Sequence, residues 1–157
     1  MTPPRRHFLQ QALAASSLLP GLLHAQARAP LPPVTVWKDP SCGCCKDWIV
    51  HMEAAGFAVK ALDESPNAAR ARLKVPRALG SCHTAEVGGY AIEGHVPAAD
   101  VKRLLRERPT QAIGLTVPGM VVGSPGMDGP VYQGRQQPYE VLLITADGRT
   151  RVFAKYG

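Results

Sequence analysis

A chain of 157 residues, 45% hydrophobic and 19% charged, has the composition of a folded globular protein, and its formal charge of +6 is modest. Its basic side chains are scattered (Arg70, Arg72, Lys74; Lys102, Arg103, Arg106), with no basic run interleaved with aromatics, which argues against a nucleic-acid partner. The informative residues are the four cysteines.

Residues 1–27 have the layout of an export signal: Arg5 and Arg6, an apolar run from Ala12 to Leu23, and Ala25-Gln26-Ala27 as a cleavage site. Arg5-Arg6-His7-Phe8-Leu9-Gln10 resembles a twin-arginine signal, with an ordinary secretory signal as the alternative. The apolar run is shorter than the roughly 20 residues that span a bilayer, so no stable membrane anchor is expected. Cleavage would remove two arginines and no acid, leaving 130 residues at a formal charge of +4, enough for one domain in an oxidising, periplasmic setting. Residues 28–33 read as a stiff leader, 34–109 as the core, and 110–157 as loops and a hairpin of the same domain.

Val34 to Lys38 alternates as a strand, and Pro40 ends it. Asp39-Pro40-Ser41-Cys42-Gly43-Cys44-Cys45-Lys46 then places three thiols within four residues, ahead of a helix predicted from Lys46 to Ala55. A thiol at a helix N-terminus is biased toward thiolate, the form that attacks disulfides and binds metals. Cys42 and Cys45 alone would be a redox CxxC pair; Cys44 is superfluous to that chemistry and invites scrambling unless a soft metal occupies the sulfurs. Two structural disulfides are disfavoured by the crowded spacing. Trp48, Met52 and Ala55 share the inner face of the helix, so Met52 belongs to the core. His51 lies about 10 Å along the helix from Cys44 and is left out of the site.

Phe57 to Leu62 is the second strand, and Ser65-Pro66 starts a helix running through Leu73 and stopping before Pro76. Ser81 to His95 reads as a hairpin turning at Gly88-Gly89. Pairing about that turn sets Val87 opposite Tyr90, Ala85 opposite Ile92 and, if the ladder persists, Cys82 beside His95. Pro97 opens a helix that ends before Pro109; its N-terminus would keep His95 neutral and able to bind metal. Residues 110–138 are loop-rich and repeat a Pro-Gly-Met turn at Pro118-Gly119-Met120 and Pro125-Gly126-Met127. Those methionines either fill gaps under the loop or lean two thioethers over the thiols. Tyr139 to Tyr156 is a second hairpin around Asp147-Gly148.

Four blocks carry a resemblance: Cys42-Gly43-Cys44-Cys45-Lys46-Asp47-Trp48, Ser81-Cys82-His83-Thr84, Gly94-His95-Val96-Pro97 and the paired Pro-Gly-Met turns. Together they resemble the CopG-type periplasmic copper-resistance family of cysteine-rich metal-binding proteins, over essentially all of 34–156. One departure is Val121 after Met120, where the family often has proline. The resemblance implies an α/β, thioredoxin-like fold, which agrees with the β-α-β-α-β-β-α order read above, with a Met-bearing loop and an added C-terminal β-hairpin. It further implies copper bound through bridging cysteine sulfurs, a role in copper tolerance, and redox interconversion of copper.

The expected ligands are Cys42, Cys44, Cys45 and Cys82 with His95, joined by His83, Met120 and Met127 as outer or exchangeable groups. More than one Cu(I) is expected, because a thiolate can bridge metals; copper ions and other periplasmic copper-handling proteins are the expected partners. Whether the chain acts enzymatically on copper stays open. The alternative is a thiol-disulfide oxidoreductase using Cys42 and Cys45. A structural zinc site is disfavoured by the absence of paired C-x-x-C knuckles.

Overall fold

The computed structural model describes residues 30–157; the export signal read at 1–27 lies outside the described residues. Seven strands form one mixed sheet: β1 (Val34–Lys38), β2 (Val59–Asp63), β3 (His83–Val87), β4 (Tyr90–Glu93), β5 (Ala112–Thr116), β6 (Tyr139–Thr145) and β7 (Thr150–Tyr156), in the order β2-β1-β3-β4-β5-β6-β7. Among the described residues the α-helices are α1 (Gly43–Ala54), α2 (Asn67–Arg72) and α3 (Ala98–Glu107). β1 pairs parallel with β2 and antiparallel with β3, while β4 pairs parallel with β5 across the α3 connection. The class is therefore α/β. Among the described residues no helix is long and apolar enough to cross a membrane.

Strand alternation sorts the side chains into two layers. Val34 and Val36 of β1, Ala85 and Val87 of β3 and Ile92 of β4 face a core shared with Trp48 and Met52 of α1 and Val101 and Leu104 of α3. The opposite face carries Ala91 and Ile144, covered by Val75 beyond α2, and there Arg72 of α2 lies over the Trp37 ring. Two bonds tie α1 to α3: the Ala98 N–H donates to His51 Nε2, and Lys102 Nζ donates to the Ala55 carbonyl. His51 is thus a cap on α3, outside the thiol cluster.

The hairpin register is the one the turn predicts. Gly88 and Gly89 have φ of 55° and 84°, and Val87 pairs with Tyr90, Ala85 with Ile92. The sequence reading needs three corrections. Helix α1 begins at Gly43 rather than Lys46, because Asp39 turns the chain early: Ser41 N–H donates to Asp39 Oδ1 (2.8 Å) and Cys42 N–H to the Asp39 carbonyl (3.1 Å). Helix α2 starts at Asn67, with Pro66 as its N-cap and Ser65 Oγ accepting from Asn67 N–H. Finally, the stretch read as loop contains β5. Gly114 disguises this strand, since glycine is a poor strand former, yet a Cβ there would collide with the Ala91 carbonyl. Through β5 the C-terminal hairpin joins and extends the sheet.

Candidate metal centre

The carboxyl end of β1 delivers the chain to the N-terminus of α1, where Cys42 is the N-cap and Cys44 and Cys45 lie in the first turn. Cys42 and Cys45 are three residues apart on one helical face, and they are joined as a disulfide with Cα atoms 5.4 Å apart. The third thiol does not prevent this pairing, because Cys44 is rotated off that face. Cys44 and Cys82 are free, with sulfurs 4.0 Å apart, and Cys44 Sγ lies 3.6 Å from Cys42 Sγ. Cys45 is fully buried, its sulfur 3.8 Å from the Cys82 carbonyl oxygen.

Cys82 immediately precedes β3, which sits beside β1, so sheet pairing carries it to the cysteine turn. The expected meeting with His95 occurs: Cys82 Sγ is 3.1 Å from His95 Nε2 and 3.4 Å from His83 Nδ1. His95 Nδ1–H donates to the Pro125 carbonyl at 2.8 Å, which fixes the tautomer and turns the Nε2 lone pair toward the thiol. Burial lowers the pKa of His95, so the ring stays neutral. Burial, followed by the neighbouring Cys44 thiol, pushes Cys82 up to about 12.

His83 is completely buried between the Trp48 ring (centroids 4.4 Å apart) and the His95 ring (5.1 Å). Its Nε2 has no hydrogen-bond partner among the described residues, and burial lowers its pKa to about 3. A neutral, incompletely satisfied imidazole beside thiols fits a soft metal better than it fits water.

Both Pro-Gly-Met turns reach this region, through backbone rather than sulfur. Ser81 Oγ donates to the Gly119 carbonyl, while the following Met120 is 59% exposed. Gly126 lies against the Cys44 carbonyl and the Trp48 nitrogen, and Met127 is buried with its sulfur accepting from the Tyr132 hydroxyl at 3.2 Å.

Sequence reasoning overlooked the clamp behind Cys82. Glu93, fully buried, accepts from Ser81 N–H (2.6 Å), Thr84 Oγ1 (2.6 Å) and Arg70 Nε (3.0 Å), and Arg70 Nη2 also donates to the Ser81 carbonyl (2.9 Å). The available signal was Glu93 itself, an acid placed by alternation on a covered sheet face.

The ligand atoms of Cys42, Cys44, Cys45 and Cys82 lie within 4.8 Å of one another, and so do those of Cys82, His83 and His95. Cys82 belongs to both groups. Two sets sharing one sulfur, all soft or borderline donors, suit copper chemistry.

Comparison with known proteins places this geometry in context. Residues 79–127 match a family described as a protein of unknown function, DUF411. No curated protein sequence matches. Two solved structures align with most of the chain, both titled copper resistance protein CopG. The one titled Form 2 is 45% identical with a TM-score of 0.74, covering 82% of this chain and 100% of that one. The one titled Form 1 is 45% identical with a TM-score of 0.73, covering 80% of this chain and 98% of that one. At that identity and coverage, with the cysteine turn, Cys82 and His95 gathered at one point, the chain belongs to the CopG family of copper-resistance proteins.

Proposed function

We propose that this chain is a periplasmic copper-binding protein that contributes to copper tolerance by holding Cu(I) among Cys42, Cys44, Cys45 and Cys82, with His95 as the nitrogen ligand. The observation that carries this reading is the convergence of four cysteine sulfurs within 4.8 Å, one of them 3.1 Å from an imidazole nitrogen already oriented by the Pro125 carbonyl. Thiolates bridge Cu(I) readily, so four sulfurs in contact have the capacity for more than one ion. The full set becomes available when the Cys42–Cys45 disulfide is reduced. His83 is the next donor inward, and Met120, on its exposed turn, is the thioether free to swing toward incoming metal. Met127 is occupied by Tyr132 and takes a packing role.

A thioredoxin-like reading of the core is supported by the strand order β2-β1-β3-β4, with β1 and β2 parallel and β3 antiparallel to β1. Export to the periplasm is supported by the signal read at residues 1–27. The test is an anaerobic Cu(I) titration of the reduced protein against a chromogenic chelator. Tight binding that drops by at least about tenfold in Cys82→Ser supports the proposal; no competition with the chelator refutes it.

The Cys42–Cys45 disulfide at a helix N-terminus favours a second reading, thiol-disulfide exchange with another protein. That reading requires insulin reduction or disulfide isomerisation unaffected by Cys44→Ser and Cys82→Ser.

A further inference from the structure

We propose that the cavity on the far side of the sheet from the cysteines, lined by Asn67, Arg70, Ala71, Val75 and Arg77, binds a small organic anion through a carboxylate or phosphate head group. The site is separate from the thiols and independent of the copper reading.

Strand alternation puts the two sites on opposite faces. His83 and Ala85 of β3 face Trp48 and the core, whereas Thr84 of β3 and its partner Glu93 of β4 point to the face that carries α2. There the cavity measures about 460 Å³, within the range of small-molecule sites and more than a bare oxyanion needs.

Arg70 is fixed before any ligand arrives. On its sheet side Nε donates to Glu93 Oε1 (3.0 Å) and Nη2 to the Ser81 carbonyl (2.9 Å), while Nη1 donates to Asn67 Oδ1 (3.0 Å). A guanidinium has five N–H groups, so the Nη1 edge keeps a hydrogen for the cavity. The Asn67 amide, its oxygen engaged, has its NH2 left to donate. Glu93 is fully buried behind the guanidinium, so an incoming ligand meets the cationic side of that ion pair. Arg77 brings a second guanidinium, exposed and, among the described residues, without a side-chain hydrogen bond or ion pair.

Gly80 gives independent support. Its backbone is ordinary (φ −64°, ψ 146°), so no conformational need puts glycine there. What it provides is room: a Cβ would lie 3.3 Å from Arg70 Cζ and 3.1 Å from the Arg77 carbonyl. The missing side chain lets the Arg70 guanidinium lie against the segment that carries Arg77. Guanidinium forks match carboxylate and phosphate oxygens, and Ala71 and Val75 add an apolar wall for hydrocarbon.

The experiment is a titration of the metal-free protein, followed by amide NMR at constant ionic strength, with phenyl phosphate, benzoate and inorganic phosphate. Saturable shifts centred on the Asn67 side-chain amide, Ala71 and Arg77 are expected with an organic probe, and the tighter of the two names the head group. Arg77→Ala should weaken binding by at least about tenfold. Gly80→Ala, which changes no charge, should also weaken it, while Arg151→Ala, which removes the same charge from β7, should not; the spectra report whether each variant is folded. No saturation with either organic probe overturns the proposal. So do equal losses in Arg77→Ala and Arg151→Ala, which would mean attraction by net charge alone. Inorganic phosphate binding as tightly as phenyl phosphate overturns the assignment of an organic ligand.

Discussion

At the residue scale, Cys82 and His83 are held in electrically quiet forms until something displaces a proton or fills a lone pair. With its pKa raised to about 12 by burial and by Cys44, Cys82 is almost wholly protonated near neutral pH. Iodoacetamide should therefore alkylate it at least about tenfold more slowly than an ordinary cysteine in a peptide, as followed by mass spectrometry at mildly alkaline pH. His83 carries the opposite kind of shift. Its folded pKa of about 3 lies below the value of about 6.5 expected of an unfolded histidine, so the unfolded chain binds the proton first. Its contribution to stability is complete above pH of about 6.5 and is lost as pH falls toward 3. Urea denaturation across that window should show a falling midpoint, and His83→Gln should flatten part of the slope.

At the element scale, the site is the meeting of a helix start, a strand start and two loop turns, each held from behind. The clamp of Glu93, Arg70, Ser81 and Thr84 fixes the segment that carries Cys82. Glu93→Ala would leave the largely buried Arg70 guanidinium and the Ser81 N–H without their acceptor, at a cost of about 3 kcal/mol or more in urea denaturation. Glu93→Gln, which retains a carbonyl acceptor, should cost less. Beyond Glu93 itself, the members of this clamp were not legible in the sequence, because they come from α2, the approach to β3, β3 and β4, and no short-range spacing connects them. The Cys82 and His95 contact was legible for the converse reason: a two-residue glycine turn fixes register, and register fixes neighbours. The cysteine block and the Gly88-Gly89 hairpin were readable from local chemistry. The start of α1 was not, since it depends on an Asp39 turn that overrides the weak helix propensity of Gly43. Nor was β5, whose Gly114 is required by the close approach of Ala91 on the neighbouring strand. The Pro-Gly-Met repeats drew notice for their sulfurs, whereas Gly119 and Pro125 contribute carbonyl oxygens and Gly126 a close backbone approach.

At the scale of the whole molecule, one sheet couples the cysteine-bearing end to the C-terminal hairpin. Val141 and Leu143 of β6 are fully buried in the same core as Trp48, Met52 and Val36. The hairpin is also fastened to α3, with the Tyr156 hydroxyl donating to Asp100 (2.6 Å) and the Arg103 guanidinium lying 3.7 Å from the centre of the Phe153 ring. Chemical denaturation should consequently give one transition by fluorescence and by circular dichroism, and Leu143→Ala should shift it by about 2–5 kcal/mol without creating a second one. The contact between Trp48 and His83 has an optical consequence. The indole is buried, hydrogen-bonded through Nε1 to the Val96 carbonyl, and tilted against an imidazole that adjoins the thiols, with ring centroids 4.4 Å apart. Trp37, the other tryptophan, sits on the far face of the sheet under Arg72 and provides a constant background. In a Trp37→Phe variant the emission of Trp48 should fall in proportion to bound copper and recover when a chelator strips it. An unchanged signal at full loading would place the metal away from His83. On the copper-binding reading, the chain carries its own occupancy gauge, a lamp in the core whose brightness reports how full the site is.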